Sequence, residues 1–168
     1  KWFEIDKQFF CKKWSKHPEI WNSFEYNQTL LTLQNHIVNI VKKLNLEKYG
    51  VKIPNINSCL INKYRDGNDY IKPHRDTDLS FGKEPTIIGL SLGESRDIVF
   101  KRVTYNGINS PLSPHDKINK HLNFKYTLES GSLFIMAGSS QRFFSHEIPI
   151  MKNVKGCRYS FTFRELLI

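Results

Sequence analysis

Apolar side chains in the N-terminal third recur at steps of three and four positions, the period of an amphipathic helix. The stripe comprises Leu30, Leu33, Ile37, Val38, Val41 and Leu44, widened by Leu31, Ile40 and Leu46. Lysines near its end suit the negative end of a helix dipole, and Gly50 favours a stop there. The pattern therefore predicts one long helix before residue 50.

After Pro54 the pattern changes to short apolar runs separated by glycines, which is typical of strands. We predict strands near 57–65, 86–93, 96–103, 122–128, 131–137, 142–148 and 157–164. Several short strands after a helix indicate an α+β chain that is mainly β. The expected architecture is a double-layered barrel or jelly roll with helices on one side. Residues 104–121 are predicted to form a long surface loop.

Composition and charge fit one globular domain with a basic surface. The chain has 168 residues, and its 12 Phe, 7 Tyr and 3 Trp can fill a sizeable core. No apolar run approaches the roughly 20 residues that span a bilayer, so we expect no membrane partner. The net charge is +9, and residues 101–168 carry 10 basic against 4 acidic side chains. This excess favours a polyanion, nucleic acid first, with solubility alone as the alternative.

The three cysteines indicate the compartment. Cys11, Cys59 and Cys157 are odd in number, widely spaced and without a CxxC pair. That pattern argues against a disulfide scaffold or a thiolate zinc site and favours a reducing intracellular compartment, cytoplasm or nucleus. We expect Cys59 and Cys157 to act as small buried hydrophobes. The first residue is Lys1 rather than Met, which favours a portion of a longer chain.

A His-x-Asp pattern is the first candidate for chemistry. In an extended segment, His74 and Asp76 face the same way because side chains alternate along a strand. His146 can supply a third ligand, and two histidines with one carboxylate form the facial triad of non-haem Fe(II) oxygenases. Alone, the pattern is common, and a surface or structural role is the alternative. The remaining histidines are not expected to be ligands: His17, His36, His115 and His121.

The C-terminal strand has one polar and one aromatic face. Its alternating positions place Arg158, Ser160, Thr162 and Arg164 on one side and Tyr159, Phe161 and Phe163 on the other. If the polar face lies in water, the strand is ordinary. If it points into the barrel, both arginines need anions, and a dicarboxylate such as 2-oxoglutarate suits them. Asn62 and Tyr64 share a second polar face that could complete a carboxylate site.

These residues belong to a longer series of motifs in one order. The series is Asn62-Lys63-Tyr64-Arg65-Asp66-Gly67, His74-Arg75-Asp76-Thr77-Asp78, Ile88-Gly89-Leu90-Ser91-Leu92-Gly93, Arg96-Asp97, Gly131-Ser132-Leu133-Phe134-Ile135-Met136, Gln141, His146 and Arg158 to Arg164. In order and spacing it resembles the AlkB family of Fe(II)- and 2-oxoglutarate-dependent dioxygenases, over roughly residues 55–166. The resemblance implies a double-stranded β-helix, a jelly roll with N-terminal helices packed on one side. We expect a single domain over 1–168, with 1–55 as a helical support or lid and 56–168 as the core.

The resemblance also implies residue roles. His74, Asp76 and His146 look like the iron ligands. The residues that look like the co-substrate site are Arg158, Asn62 and Tyr64 at the distal carboxylate, Arg164 beside the proximal carboxylate and Asp76, and Thr162 and Ser160 in the same pocket. Ser160 stands where the family often has Asn. Asp78 resembles a family acidic residue that contacts the substrate base, and Tyr70 is a further candidate for substrate contact.

The implied activity is oxidative demethylation of N-methylated bases in DNA or RNA, with Fe(II), 2-oxoglutarate and O2. The family's usual lid signature is absent from residues 1–55, so we expect a single-stranded substrate. Separately, we expect a monomeric enzyme. The candidate stacking residues there are Trp2, Trp14, Trp21, Phe24 and Tyr26, for which core packing is the alternative. Two other functions remain open. One is a 2-oxoglutarate-dependent hydroxylase of a protein or small molecule, and the other is a non-catalytic nucleic-acid-binding module.

Overall fold

Two β-sheets form the body of the protein in the computed structural model, which describes residues 1–5, 23–103 and 122–167. The strands are β1 (Trp2–Glu4), β2 (Phe24–Glu25), β3 (Ser58–Tyr64), β4 (Ile71–His74), β5 (Ile87–Gly93), β6 (Arg96–Arg102), β7 (Phe124–Leu128), β8 (Leu133–Met136), β9 (Phe144–Ile148) and β10 (Arg158–Arg164). The helices are α1 (Gln28–Lys43), α2 (Asp78–Phe81) and α3 (Ser140–Phe143), with a short 3-10 helix at Leu46–Tyr49. The predicted loop 104–121 lies outside the described residues.

From β3 onwards the chain passes back and forth between the two sheets, with β6 and β7 adjacent in the same sheet. One sheet has six strands in the order β2-β1-β3-β10-β5-β8, and the other has four in the order β4-β9-β6-β7. From β3 to β10 the pairing within each sheet is antiparallel. Such alternation between two antiparallel layers is the jelly-roll arrangement. The predicted fold class is therefore confirmed.

Helix α1 covers the outer face of the six-stranded sheet, as the apolar stripe predicts. The side chain of Asn27 caps its first turn by accepting a hydrogen bond from the backbone N–H of Leu30 at 2.9 Å. Ile37 and Val41 pack in one buried cluster with Phe163 of β10. Among the described residues, no helix has the length and apolarity needed to cross a membrane.

The rest of the N-terminal region differs from the expected helical segment 1–55. Strand β1 pairs with β3, with Trp2 opposite Leu60, and β2 extends the sheet in parallel with β1. Strands of three and two residues are too short to give a recognisable alternation. The long helix also ends at Lys43, before the predicted stop. Gly50 instead follows the 3-10 helix with φ +73°, a left-handed conformation that favours glycine.

Smaller differences concern the strand ends and cysteines. The seven predicted strands are present, but α3 occupies the start of the expected strand 142–148. Strand β4 was expected only as an extended segment around the His-x-Asp pattern. Cys59 is fully buried, and burial raises the pKa of its thiol to about 12. Cys157 is only half-buried and immediately precedes β10.

Candidate metal and co-substrate site

The register of β10 decides the direction of its polar face. Arg158 lies opposite Tyr64 on β3 and Gly93 on β5, and Ser160 lies opposite Asn62 and Ser91. Phe161 and Phe163, on the other face, pack with the residues beneath α1. The exposed fraction is 2% for Arg158 and 7% for Arg164. The polar face therefore points inward, and the alternative of arginines in water is wrong.

A cavity of about 110 Å³ lies between the two sheets. Its polar lining residues are Asn62, Tyr64, His74, Ser91, Ser132, His146, Arg158, Ser160, Thr162 and Arg164. The remaining wall is mostly aliphatic and aromatic, including Ile98, Phe134 and Met136. All six residues predicted for the co-substrate site thus line one cavity, together with the two histidines predicted as metal ligands.

His74, Asp76 and His146 form a compact cluster at this cavity. One potential ligand atom from each lies within 4.8 Å of the others. Strands β4 and β9 set this geometry, because His74 and His146 are directly paired and their ring centroids are 4.3 Å apart. Asp76 follows β4, and its Oδ2 lies 3.7 Å from His146 Nε2. Among the described residues this is the cluster able to hold a metal ion.

The surroundings of the two histidines suit metal binding. His74 Nδ1 lies 2.9 Å from the carbonyl oxygen of Lys72. A carbonyl only accepts, so Nδ1 is assigned as the donor and Nε2 stays available to a metal. Burial lowers the pKa of His146 to about 4. His146 is therefore neutral near pH 7, the form that binds metals. His36 lies on the exposed side of α1, and the other three histidines lie outside the described residues.

Two partners hold the Asp76 carboxylate. Arg164 Nη1 lies 3.1 Å from Oδ1. The Gln141 side chain donates to Oδ2 at 2.9 Å and accepts from the Asp76 backbone N–H at 3.1 Å. Burial alone would raise the pKa of Asp76, but Arg164, His146, His74 and the Gln141 hydrogen bond together lower it. Asp76 is therefore ionised and fixed in orientation.

The double hydrogen bond of Gln141 leads to a testable expectation. Gln141→Met keeps the volume but removes both bonds to Asp76, so the carboxylate loses its orientation. Loss of such a supporting contact typically lowers metal affinity by about 10- to 100-fold. Titration with Mn(II) followed by calorimetry measures the change. Gln28→Met, on the exposed start of α1, is the matched control and should bind Mn(II) like the wild type. Equal affinity in both variants would contradict the role of Gln141.

Arg158 has an unsatisfied donor. Its Nε donates to Ser91 Oγ at 2.7 Å, and its guanidinium carbon lies 5.0 Å from the centroid of the Tyr64 ring. Its Nη1 is buried and has no hydrogen-bond partner among the described residues. Burial lowers the pKa of Arg158, but a guanidinium stays charged in proteins. A buried cation with a free donor at a cavity needs an anionic ligand, and carboxylates are its natural partner.

Three residues of the sequence motifs support the site although the sequence indicated no role for them: Ser91, Arg96 and Gln141. Arg96 is fully buried and donates to the backbone oxygens of Asp66 at 3.0 Å, Asp69 at 2.8 Å and Pro149 at 2.6 Å. Its guanidinium carbon lies 5.5 Å from the Tyr64 ring centroid. The sequence signal for Arg96 is its position on the face of β6 that also carries the buried residues Ile98 and Phe100.

The predicted substrate residues lie outside the cavity wall. Asp78 begins α2, and its Oδ1 is buried without a hydrogen-bond partner among the described residues. Tyr70 is 49% exposed just before β4. The structure brings neither residue into the cavity lining.

The candidate lid aromatics divide between core and surface. Trp2 is buried against Phe81, and the Tyr26 hydroxyl donates to Gln34, so core packing accounts for both. Phe24 is half exposed. Trp14 and Trp21 lie outside the described residues.

Comparison with known proteins identifies the class. The sequence model of the 2OG-Fe(II) oxygenase superfamily matches residues 5–164, so the chain belongs to this superfamily. A solved structure, "The structure of OsALKBH1", has the same fold, with a TM-score of 0.58 and 17% identity. The match covers 86% of this chain and 66% of that one.

Similar curated proteins indicate the family within this superfamily. The chain is 33% identical to the DNA oxidative demethylase ALKBH2 of Arabidopsis thaliana over 66% of its own length and 38% of the relative's. It is 32% identical to human ALKBH2 over 71% and 43%, and 31% identical to mouse alkB homolog 3 over 64% and 36%. The chain thus spans less than half the length of these relatives. The predicted resemblance to the AlkB family is confirmed.

The site fits the cofactor and co-substrates of this superfamily, which are Fe(II), 2-oxoglutarate and O2. Two imidazoles and one carboxylate are the donor set of a non-haem Fe(II) centre. The unpaired donor of Arg158 calls for an anion in the same cavity. The donor chemistry therefore suits a metal and a dicarboxylate bound side by side.

Proposed function

We propose that the protein is an Fe(II)- and 2-oxoglutarate-dependent dioxygenase that removes methyl groups from nitrogen atoms of nucleic-acid bases. The observation that carries the proposal is one cavity lined by His74, His146 and the buried Arg158, with Asp76 clustered beside the two histidines. The names of the relatives, DNA oxidative demethylase and alpha-ketoglutarate-dependent dioxygenase, support the substrate class.

Most polar residues of the cavity have a role in this proposal. The metal ligands are His74, Asp76 and His146. The distal carboxylate of 2-oxoglutarate is held by Arg158 with Asn62 and Tyr64, while Arg164 supports Asp76 near the proximal carboxylate. Thr162 and Ser160 complete the pocket wall. Because the rest of the wall is mostly apolar, the ionic contacts are stronger than in bulk solvent.

An Fe(II) ion held by this cluster would supply an oxidation that the side chains cannot. With Fe(II) bound, 2-oxoglutarate and O2 yield succinate, CO2 and a hydroxylated N-methyl group, which then releases formaldehyde and leaves the base with N–H. The chain's own task is to hold the co-substrate by its carboxylates and to keep Asp76 ionised and oriented through Arg164 and Gln141.

A single-stranded substrate is the simplest fit. A base in a duplex must be unstacked before it reaches a buried metal, whereas a single strand avoids that cost. The net charge of +9 supports a polyanionic substrate. In this proposal Asp78 and Tyr70 contact the base from outside the cavity. The single domain, the monomeric state and the reducing compartment stay predictions.

The test is product formation with Fe(II), 2-oxoglutarate and a single-stranded oligonucleotide carrying one N-methylated base. We expect succinate and formaldehyde in equal amounts, with an unmethylated oligonucleotide of the same sequence as the control. Binding should weaken with salt, with a log–log slope of about −0.7 per phosphate contact. A protein or small-molecule substrate would be favoured if methylated oligonucleotides never stimulate turnover and if oligonucleotide binding does not depend on salt. Absence of both metal binding and 2-oxoglutarate turnover would favour the non-catalytic module.

A further inference from the structure

One row of rings crosses the four-stranded sheet at a single register. His74 of β4 is paired with His146 of β9, His146 with Phe100 of β6, and Phe100 with Phe124 of β7. The successive ring centroids are 4.3, 5.9 and 4.9 Å apart. The row therefore runs from the two histidines of the metal cluster to β7, which is an edge strand of this sheet.

At that edge the rings are open to solvent. Phe124 is 38% exposed and Tyr126 is 53% exposed. Phe124 stacks on Phe100 with 14° between the ring planes and meets Tyr126 edge-on at 5.7 Å. Tyr126 also lies 5.7 Å from Phe134, which lines the cavity. The exposed rings are thus continuous with the site, unlike an aromatic side chain scattered singly on a surface.

An uncompensated positive charge lies beside these rings. The Arg102 guanidinium carbon is 4.3 Å from the ring centroid of Phe143 and 5.4 Å from that of Phe144, which itself contacts Phe124. Among the described residues, Arg102 has no carboxylate partner. Its neighbours Lys101 and Lys125 are paired with acidic residues at 2.6 and 2.8 Å. In the part of the chain that the structure describes, Arg102 is therefore a cation beside the exposed rings that is available to an anion.

We propose that Phe124, Tyr126 and Arg102, here called the edge platform, hold the nucleotides that flank the methylated base on a single strand. This inference rests on the proposed function and extends it. Sequence-tolerant binding of single strands combines aromatic faces for the bases with cations for the phosphates. Phe124 lies two strands from His146, about 10 Å at the usual strand spacing. The platform is therefore too far to touch the reacting base but close enough to take its neighbours.

The first test measures binding of a fluorescent, unmethylated single-stranded oligonucleotide by anisotropy. Tyr126→Ala removes one stacking ring and should weaken binding by about 5- to 150-fold. Tyr126→Phe keeps the ring and should bind like the wild type. Tyr49→Ala is the matched control, because Tyr49 is 71% exposed with Lys48 4.8 Å from its ring centroid. It belongs to the 3-10 helix whose Leu46 packs against the core cluster beneath α1, not against β7. Circular dichroism melting confirms that each variant is folded.

The second test addresses the cation. Arg102→Gln should lower the magnitude of the log–log salt slope by about 0.7, the loss of one phosphate contact on a single strand. Arg65→Gln removes an exposed arginine that is already paired with Asp69 at 2.7 Å, and should leave the slope unchanged. An unchanged slope in Arg102→Gln overturns the role given to Arg102.

The third test asks which nucleotide the platform holds. The substrate is varied by removing one base, one or two positions away from the methylated base. This change should slow demethylation by the wild type but should have little further effect on Tyr126→Ala. A double-mutant cycle measures this coupling. Equal sensitivity of both proteins overturns the platform while demethylation itself persists. If the wild type neither binds oligonucleotides nor demethylates them, the proposed function fails and the platform fails with it.

Discussion

Asp76→Ala is expected to remove measurable binding of a divalent metal and to end both succinate and formaldehyde formation. Asp76 is the carboxylate of the cluster, and without it two imidazoles face the positive charge of Arg164. Breaking a buried ion pair costs roughly 3–5 kcal/mol of stability, so Asp76→Asn is the more informative variant. The amide keeps the shape but loses the charge. Titration with Mn(II), monitored by calorimetry, measures the loss of metal affinity.

Two other acidic residues provide the comparison. Asp69→Ala removes a partly buried carboxylate paired with Arg65, outside the cavity, and should bind Mn(II) like the wild type. Asp78→Ala should also bind the metal but should slow demethylation more than it slows succinate formation, because its proposed contact is with the base. Retention of tight Mn(II) binding by Asp76→Asn would refute the assignment of the metal site.

Arg158→Ala is expected to weaken 2-oxoglutarate binding by two orders of magnitude or more. Its guanidinium is 2% exposed and has a donor without a partner, so a bound carboxylate forms a buried charge pair with it. Removing one member of such a pair typically costs about 3–5 kcal/mol. Arg158→Lys should recover only part of the affinity because the forked geometry is lost. Calorimetry with Mn(II) in place of Fe(II) measures 2-oxoglutarate affinity without turnover.

The control for this variant is Arg65→Ala. The Arg65 side chain is 79% exposed and lies on the loop after β3, so its loss should leave 2-oxoglutarate affinity unchanged. If Arg158→Ala binds 2-oxoglutarate as tightly as Arg65→Ala does, another residue holds the distal carboxylate.

Local alternation in the sequence was sufficient to predict the parts of the site that lie on strands. The period of a strand places the polar residues of β10 on one face and the aromatic residues between them on the other, which predicts that the aromatic face packs against apolar side chains. The polar residues are Arg158, Ser160, Thr162 and Arg164. The sequence left open whether the polar face lay in water or pointed into the barrel. The register with β3 and β5 resolves it, since Tyr64 and Ser91 are polar residues on the same inward face.

Long-range contacts explain what the sequence could not predict. Gln141 reaches Asp76 across 65 positions, and the three acceptors of Arg96 lie 27, 30 and 53 positions away. No local period encodes such contacts. The short strand β1 is similar, because its three residues are extended only through pairing with β3. The N-terminal helical prediction failed at β1 for this reason, since tertiary pairing overrides weak local preference.

The position of β10 affects how the protein is made. It is the last of the described strands in chain order, yet it lies between β3 and β5 at the centre of the six-stranded sheet. A ribosome therefore delivers β3 and β5 well before the strand that joins them, and both carry open hydrogen-bonding edges until it emerges. Because the same strand brings Arg158 and Arg164, a nascent chain lacks both cations of the cavity until synthesis has passed residue 164.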